Sequence, residues 1–163
     1  MTSARPTDTP MIRPARPADV ETITDLHFRA RSTYYPDGLP PSDFDWGAAW
    51  LASVERPDGL VLCAVEEGRL VAVASSRTPE GGPADTVKLF QFHVDPDRWR
   101  SGLGTVLHTA CVERWRADAR RAAVLDVHAD NERAQAFYVR QGWVADPADG
   151  GHHLGMRLDL AGE

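Results

Sequence analysis

The sequence predicts a mixed α/β fold, with parallel and antiparallel strands in one sheet covered by helices. Three observations carry that prediction. Two apolar runs, residues 60–65 and 70–75, flank Glu66-Glu67-Gly68-Arg69, the pattern of an antiparallel hairpin. Strand-like residues 87–94 and 122–127 enclose apolar positions Leu103, Val106, Leu107, Ala110 and Cys111, one face of a helix. A strand–helix–strand unit of that kind implies a parallel pair with a right-handed crossover. Helical spacing recurs at both ends of the chain, so helices have apolar faces to lay against the sheet.

The elements follow in order. Residues 11–15 form a short strand between prolines. Pro17-Ala18-Asp19 reads as a helix start, because proline is tolerated in a first turn and acids favour the positive end of the dipole. Val20, Ile23, His27 and Ala30 continue it at helical spacing. Tyr34-Tyr35-Pro36-Asp37-Gly38-Leu39-Pro40-Pro41 breaks that helix, and a second is expected over 46–54. The hairpin comes next, then a Pro/Gly loop over 78–84 and a strand over 87–94 stopped by Asp95-Pro96. After the helix near Leu103 come a strand over 122–127, a helix over 131–141 ended by Gly142, and strands over 143–145 and 154–160. The predicted order is β-α-α-β-β-β-α-β-α-β-β.

Composition narrows the class. A chain of 163 residues with 42% hydrophobic content is expected to make one domain over 11–163 behind a disordered leader at 1–10. No apolar run approaches the roughly 20 residues that span a bilayer. The net charge of −6 disfavours nucleic acid and anionic membrane and weakly favours cationic substrates such as amines. Cys63 and Cys111 lie in apolar surroundings and read as two buried thiols, which points to a reducing cytoplasm. His152-His153 has no acid or cysteine cluster beside it and reads as surface loop, so no metal is expected.

The chemistry centres on Trp99-Arg100-Ser101-Gly102-Leu103-Gly104. A glycine pair that opens a helix lets backbone N–H groups crowd around an anion, and the helix N-terminus adds unpaired donors and a positive dipole end. A phosphate is the natural guest, with Arg98 and Arg100 able to add charge. A Rossmann fingerprint needs a third glycine near Leu107, and a Walker loop needs Gly-Lys-Ser/Thr where Gly104-Thr105-Val106 stands. Both patterns fail.

The stretch from Phe92 to Gly104, ending a strand in Val94-Asp95-Pro96, resembles the acetyl-CoA loop of the GNAT superfamily of N-acetyltransferases. Asn131-Glu132-Arg133-Ala134-Gln135-Ala136-Phe137-Tyr138 followed by Gly142-Trp143 resembles that superfamily's second motif, and Ile12-Arg13-Pro14-Ala15 its N-terminal start. Trp99 departs from the pattern, which has Gln or Arg there. The resemblance implies a mostly antiparallel sheet with a central splayed parallel pair and helices on both faces. It implies acetyl-CoA as co-substrate, held by Val94, Trp99, Arg100, Ser101, Gly102, Leu103, Gly104, Thr105, Asn131, Phe137 and Tyr138. With Trp99 at the Gln/Arg position, the loop is expected to bind mainly through its backbone.

Direct acetyl transfer needs a neutral amine, a donor to the thioester oxygen and a proton for the thiolate. The resemblance gives the donor role to a backbone N–H near Val94 and the acid role to Tyr138. For the base, many relatives carry a glutamate where Lys88 stands here; Asp126 and His93 are the candidates that remain, beside a water route. Tyr34 and Tyr35, next to Pro and Gly, are candidate acceptor-pocket residues. The expected activity is N-acetylation of a primary amine on a small molecule or peptide N-terminus. The alternative is a silent acyl-CoA sensor or interaction domain, which Lys88 motivates. Relatives often dimerise, so a homodimer is compatible with the resemblance.

Overall fold

The computed structural model describes residues 10–33, 35, 37, 42–146 and 153–161. Most of the expected leader and Tyr34 lie outside the described residues. The strands are β1 (Met11–Pro14), β2 (Gly59–Glu66), β3 (Arg69–Arg77), β4 (Thr86–Val94), β5 (Ala122–His128), β6 (Val144–Asp146) and β7 (His153–Asp159). The helices are α1 (Val20–Ser32), α2 (Trp46–Glu55), α3 (Leu103–Ala117) and α4 (Glu132–Arg140). Their order is the one read from the sequence. Two short 3₁₀ turns, Pro17–Asp19 and Pro96–Arg98, were not foreseen.

All strands join one sheet in the order β1-β2-β3-β4-β5-β7-β6. Among the described residues only β4 and β5 run parallel, as the crossover through α3 requires. Their pairing stops after Thr86↔Ala122, Val87↔Ala123 and Lys88↔Val124. From there β4 runs on to Val94 and β5 to His128 with no pairing between them, and the sheet opens as a V. A bulge in the β3–β4 ladder between Ser75 and Ser76 lies beside that opening. Such bulges bend and twist a strand locally.

Alternation along the central strands builds a core on each face. Val61, Cys63 and Val73 face Ile23 and Leu26 of α1 and Trp50 of α2. Leu62, Ala64, Ala72 and Ala74 face Leu103, Leu107, Cys111 and Trp115 of α3. The two cysteines are therefore on opposite faces, free and buried. Burial pushes each thiol up to about 12, so both stay protonated and unreactive. On the first face the helices cover the β1–β4 half; their principal contacts are with β2, β3 and β4. β5 presents Asp126 and His128 there as exposed side chains. The open V and this uncovered half-face position everything that follows.

Candidate active site

A cleft of about 560 Å³ runs along the V, a volume typical of small-ligand sites. The end of β4, the loop before α3, and α4 line it. Two sequence motifs separated by a whole helix and strand thus form its two walls.

The loop wall is the turn that leads into the N-terminus of α3. Arg100 has φ 68° and Gly102 φ 85°, so the backbone turns through left-handed conformations just before α3. Gly102 is the N-cap of α3, and its carbonyl accepts from Val106 N–H at 3.1 Å. The N–H groups of Leu103, Gly104 and Thr105 form the first turn, which has no carbonyls of its own helix to bond. They open toward the cleft with the positive end of the dipole behind them. Ser101 Oγ donates to the Arg98 carbonyl at 2.6 Å and shapes the loop from within. Arg98 lines the cleft, and its guanidinium pairs with Glu66 at 2.6 Å, which ties the loop to β2. Arg100 lines the cleft.

Gly104 is needed for a second reason. A Cβ there would sit 3.2 Å from Phe137 Cε1 and 3.7 Å from Val94 Cγ2. The missing side chain lets α3, α4 and the end of β4 close together. On the α4 wall, Asn131 caps the helix, its Oδ1 accepting from Ala134 N–H at 3.1 Å. Asn131, Phe137 and Tyr138 all line the cleft. Tyr138 is buried, with ring contacts to Phe92 at 6.3 Å and Trp143 at 5.7 Å.

The strand end turns backbone groups into the V. Asp95 N–H donates to the Val71 carbonyl at 2.9 Å, while Val94 lies opposite Ala72. In an antiparallel ladder the hydrogen-bonded pairs alternate, so Val94 turns its N–H and carbonyl away from β3 and into the V. The carbonyl accepts from Trp99 Nε1 at 3.1 Å. The N–H points where β5 has parted. Asp95 braces this end from behind, its carboxylate accepting from Asp97 N–H at 2.9 Å and pairing with Arg29 of α1 at 3.0 Å. Burial by itself would raise the Asp95 pKa; that N–H and the guanidinium outweigh it and hold the carboxyl below its usual range.

The two base candidates occupy different places. Asp126 is half-exposed on β5, with Oδ2 3.0 Å from Lys88 Nζ across the root of the V. His93 lines the cleft, its Nε2 2.8 Å from Gln91 Oε1, and its ring stacks on His27 at 4.5 Å. Burial, followed by the neighbouring His27 and Arg31, pushes His93 down to about 3, so it is neutral at neutral pH. Tyr35 does not contribute to the cleft lining; the Arg31 guanidinium lies 5.7 Å from its ring.

Sequence reasoning missed Arg133, Phe92 and Ala30, which also line the cleft. Arg133 was visible inside the second motif as an unspecified position. Ala30 carried no signal, because its place depends on how α1 crosses the sheet. Among the described residues no cluster of three or more His, Cys, Asp or Glu is arranged to hold a metal. No described helix is long and apolar enough to cross a membrane.

Comparison with known proteins agrees with this geometry. Residues 20–143 match the Acetyltransferase (GNAT) family, and the chain belongs to it. The donor in that family is acetyl-CoA. The chain is 32% identical over 155 residues to a mycothiol acetyltransferase of Acidimicrobium ferrooxidans, covering 90% of this chain and 47% of that protein. It thus spans about half the length of the curated relative it matches. Among solved structures it resembles the PaiA N-acetyltransferase of Thermoplasma acidophilum in complex with coenzyme A, with a TM-score of 0.78, 18% identity, and coverage of 93% and 99% of the two chains. An N-acetyltransferase of Staphylococcus aureus gives a TM-score of 0.71 at 19% identity, covering 93% and 99%. At these identities the structural likeness speaks for the fold.

Proposed function

We propose that the protein catalyses direct transfer of an acetyl group from acetyl-CoA to a primary amine of a small molecule or peptide N-terminus. The observation that carries this reading is the cleft itself. An anion cradle at the start of α3, an unpaired strand-end N–H at Val94 and a buried phenol at Tyr138 lie along one wall-to-wall passage. The residues present fit the donor: the cradle suits its phosphates, and the gap kept by Gly104 leaves room between α3 and α4.

The chain's own groups divide the work. The first-turn N–H groups of α3 hold phosphate oxygens. Val94 N–H donates to the thioester oxygen as negative charge develops there. Tyr138 donates its hydroxyl proton to the departing sulfur. The acceptor enters over the face that α1 and α2 leave uncovered. His93 is too weakly basic to hold an amine's proton, so deprotonation is assigned to solvent on that open face, with Asp126 of β5 the candidate carboxylate there. The net charge of −6 fits a cationic amine partner and does not favour nucleic acid.

A second reading, a silent acyl-CoA sensor, draws on the Lys88–Asp126 ion pair, which occupies that carboxylate. Calorimetry with acetyl-CoA and a thiol-release assay over a panel of amines separate the two. Binding with amine-dependent thiol release is the expected result. Binding without release on any amine favours the sensor, and absence of acetyl-CoA binding removes both.

A further inference from the structure

Trp99 stands where the resembling pattern carries Gln or Arg, and its side chain has two partners. Its Nε1 donates to the Val94 carbonyl at 3.1 Å. The Cζ of Arg133 lies 3.2 Å from its ring centroid, which lays the guanidinium flat on the indole. Both residues line the cleft, but they come from different elements, the loop before α3 and the first turn of α4. One indole thereby joins the strand-end residue facing the V to a cation on the opposite wall.

Helix electrostatics do not favour a cation at position 133. Arg133 is exposed and sits in the first turn of α4, where the positive end of the helix disfavours a cation. Stacking keeps the guanidinium N–H groups in a plane parallel to the ring, so they point outward from its edge. That is the arrangement for bidentate recognition of phosphate oxygens. The Val94 contact acts at the other end. Fixing the carbonyl of a strand-end residue fixes that residue's dihedrals, and its N–H turns with them.

We propose that Trp99 is a positioning residue with two separable functions. Its ring presents Arg133 to a phosphate of the coenzyme, and its indole N–H holds Val94 so that the Val94 N–H meets the thioester carbonyl. The proposal rests on the acetyl-CoA reading above. It assigns Arg133 to the binding wall, and it gives the loop's tryptophan side chain a part in the site where binding mainly through the backbone was expected.

Three variants separate the functions. Arg133→Gln removes the cation from an exposed position. Trp99→Phe keeps an aromatic face for Arg133 and loses the N–H donor. Trp99→Leu loses both. By calorimetry, Arg133→Gln is expected to weaken acetyl-CoA about tenfold or more, the scale of a lost charge-assisted hydrogen bond. S-acetylpantetheine, which has no phosphate, should bind this variant and the wild type alike. In turnover the KM for acetyl-CoA should rise by a similar factor, with kcat changing far less. Trp99→Phe should do the reverse, lowering kcat about tenfold with little change in acetyl-CoA affinity. Trp99→Leu should show both losses.

Binding of 3′-dephospho-CoA identifies the phosphate. A penalty that disappears with it assigns Arg133 to the 3′-phosphate, and one that persists assigns it to the pyrophosphate. If Arg133→Gln weakens acetyl-CoA and S-acetylpantetheine equally, or weakens neither, the phosphate function is overturned. A wild-type kcat in Trp99→Phe overturns the Val94 function. Failure of the wild type to bind acetyl-CoA would instead sink the functional reading beneath both.

Discussion

Replacing His108 by glutamine should remove a definite part of this protein's acid sensitivity, and the structure sets the amount. His108 Nε2 accepts from Trp143 Nε1 at 2.8 Å, and His27 Nδ1 accepts from Trp50 Nε1 at 3.0 Å. An indole N–H only donates, so each imidazole must keep that nitrogen unprotonated. Burial lowers His108 to about 4; burial and then the charge of Arg31 lower His27 to about 4. In the unfolded chain both titrate near their ordinary value of about 6.5. Between these limits the unfolded state binds more protons. The stabilisation is therefore full above about pH 6.5 and is lost as pH falls toward about 4. Going from pH 7 to pH 5 costs about 2 kcal/mol for each histidine, or about 4 kcal/mol for the pair. That is a large share of a typical folding free energy of about 5–15 kcal/mol. Glutamine offers the Trp143 indole an acceptor oxygen and cannot titrate. Urea unfolding at pH 7 and pH 5 should show His108→Gln losing about 2 kcal/mol less than the wild type over that interval. An equal loss in both proteins would refute the argument that His108 is held neutral by its buried acceptor role.

Other outcomes follow from the cleft. Tyr138→Phe keeps the ring contacts with Phe92 and Trp143, so acetyl-CoA affinity should stay near wild type while kcat falls by about 10²-fold or more, read by thiol release at saturating substrates; an unchanged kcat removes Tyr138 from the mechanism. Gly104→Val forces carbon into a site where even a Cβ meets Phe137 at 3.2 Å, so it should cost about 1–3 kcal/mol of stability and weaken acetyl-CoA measurably by calorimetry. Gly102→Ala has open space around its Cβ but keeps φ 85°, so chemical denaturation should show a loss of only about 1–2 kcal/mol from backbone strain. Asp126→Asn should shift or flatten the pH profile of turnover for a cationic amine, and an identical profile would remove Asp126 from the proton route.

Much of this was legible in the sequence because it is local. The hairpin around Gly68, the helical face from Leu103 to Cys111 and the cap at Asn131 depend on periodicity and turn chemistry within a few residues. The candidate cofactor loop was legible for the same reason: glycines at fixed spacing before a helix are a local pattern. The candidate acid–base residues were less legible. Asp126 and Lys88 lie on different strands, and their ion pair across the root of the V is a matter of register. Tyr138 was found through the motif resemblance, while its burial against Phe92 and Trp143 came from packing.

The sequence by itself determined the element order, the two buried thiols and the glycine turn from Trp99 to Gly104 that opens α3. The tertiary structure decided where the sheet opens. β4 and β5 pair for three residues and then part, and strand register is a non-local property that no local pattern encodes. That opening turns the Val94 N–H toward empty space and brings the two motifs into one cleft. It also gave Trp99 its meaning, because an indole that reads as a departure in one segment gains its role only when Val94 and Arg133 are folded against it.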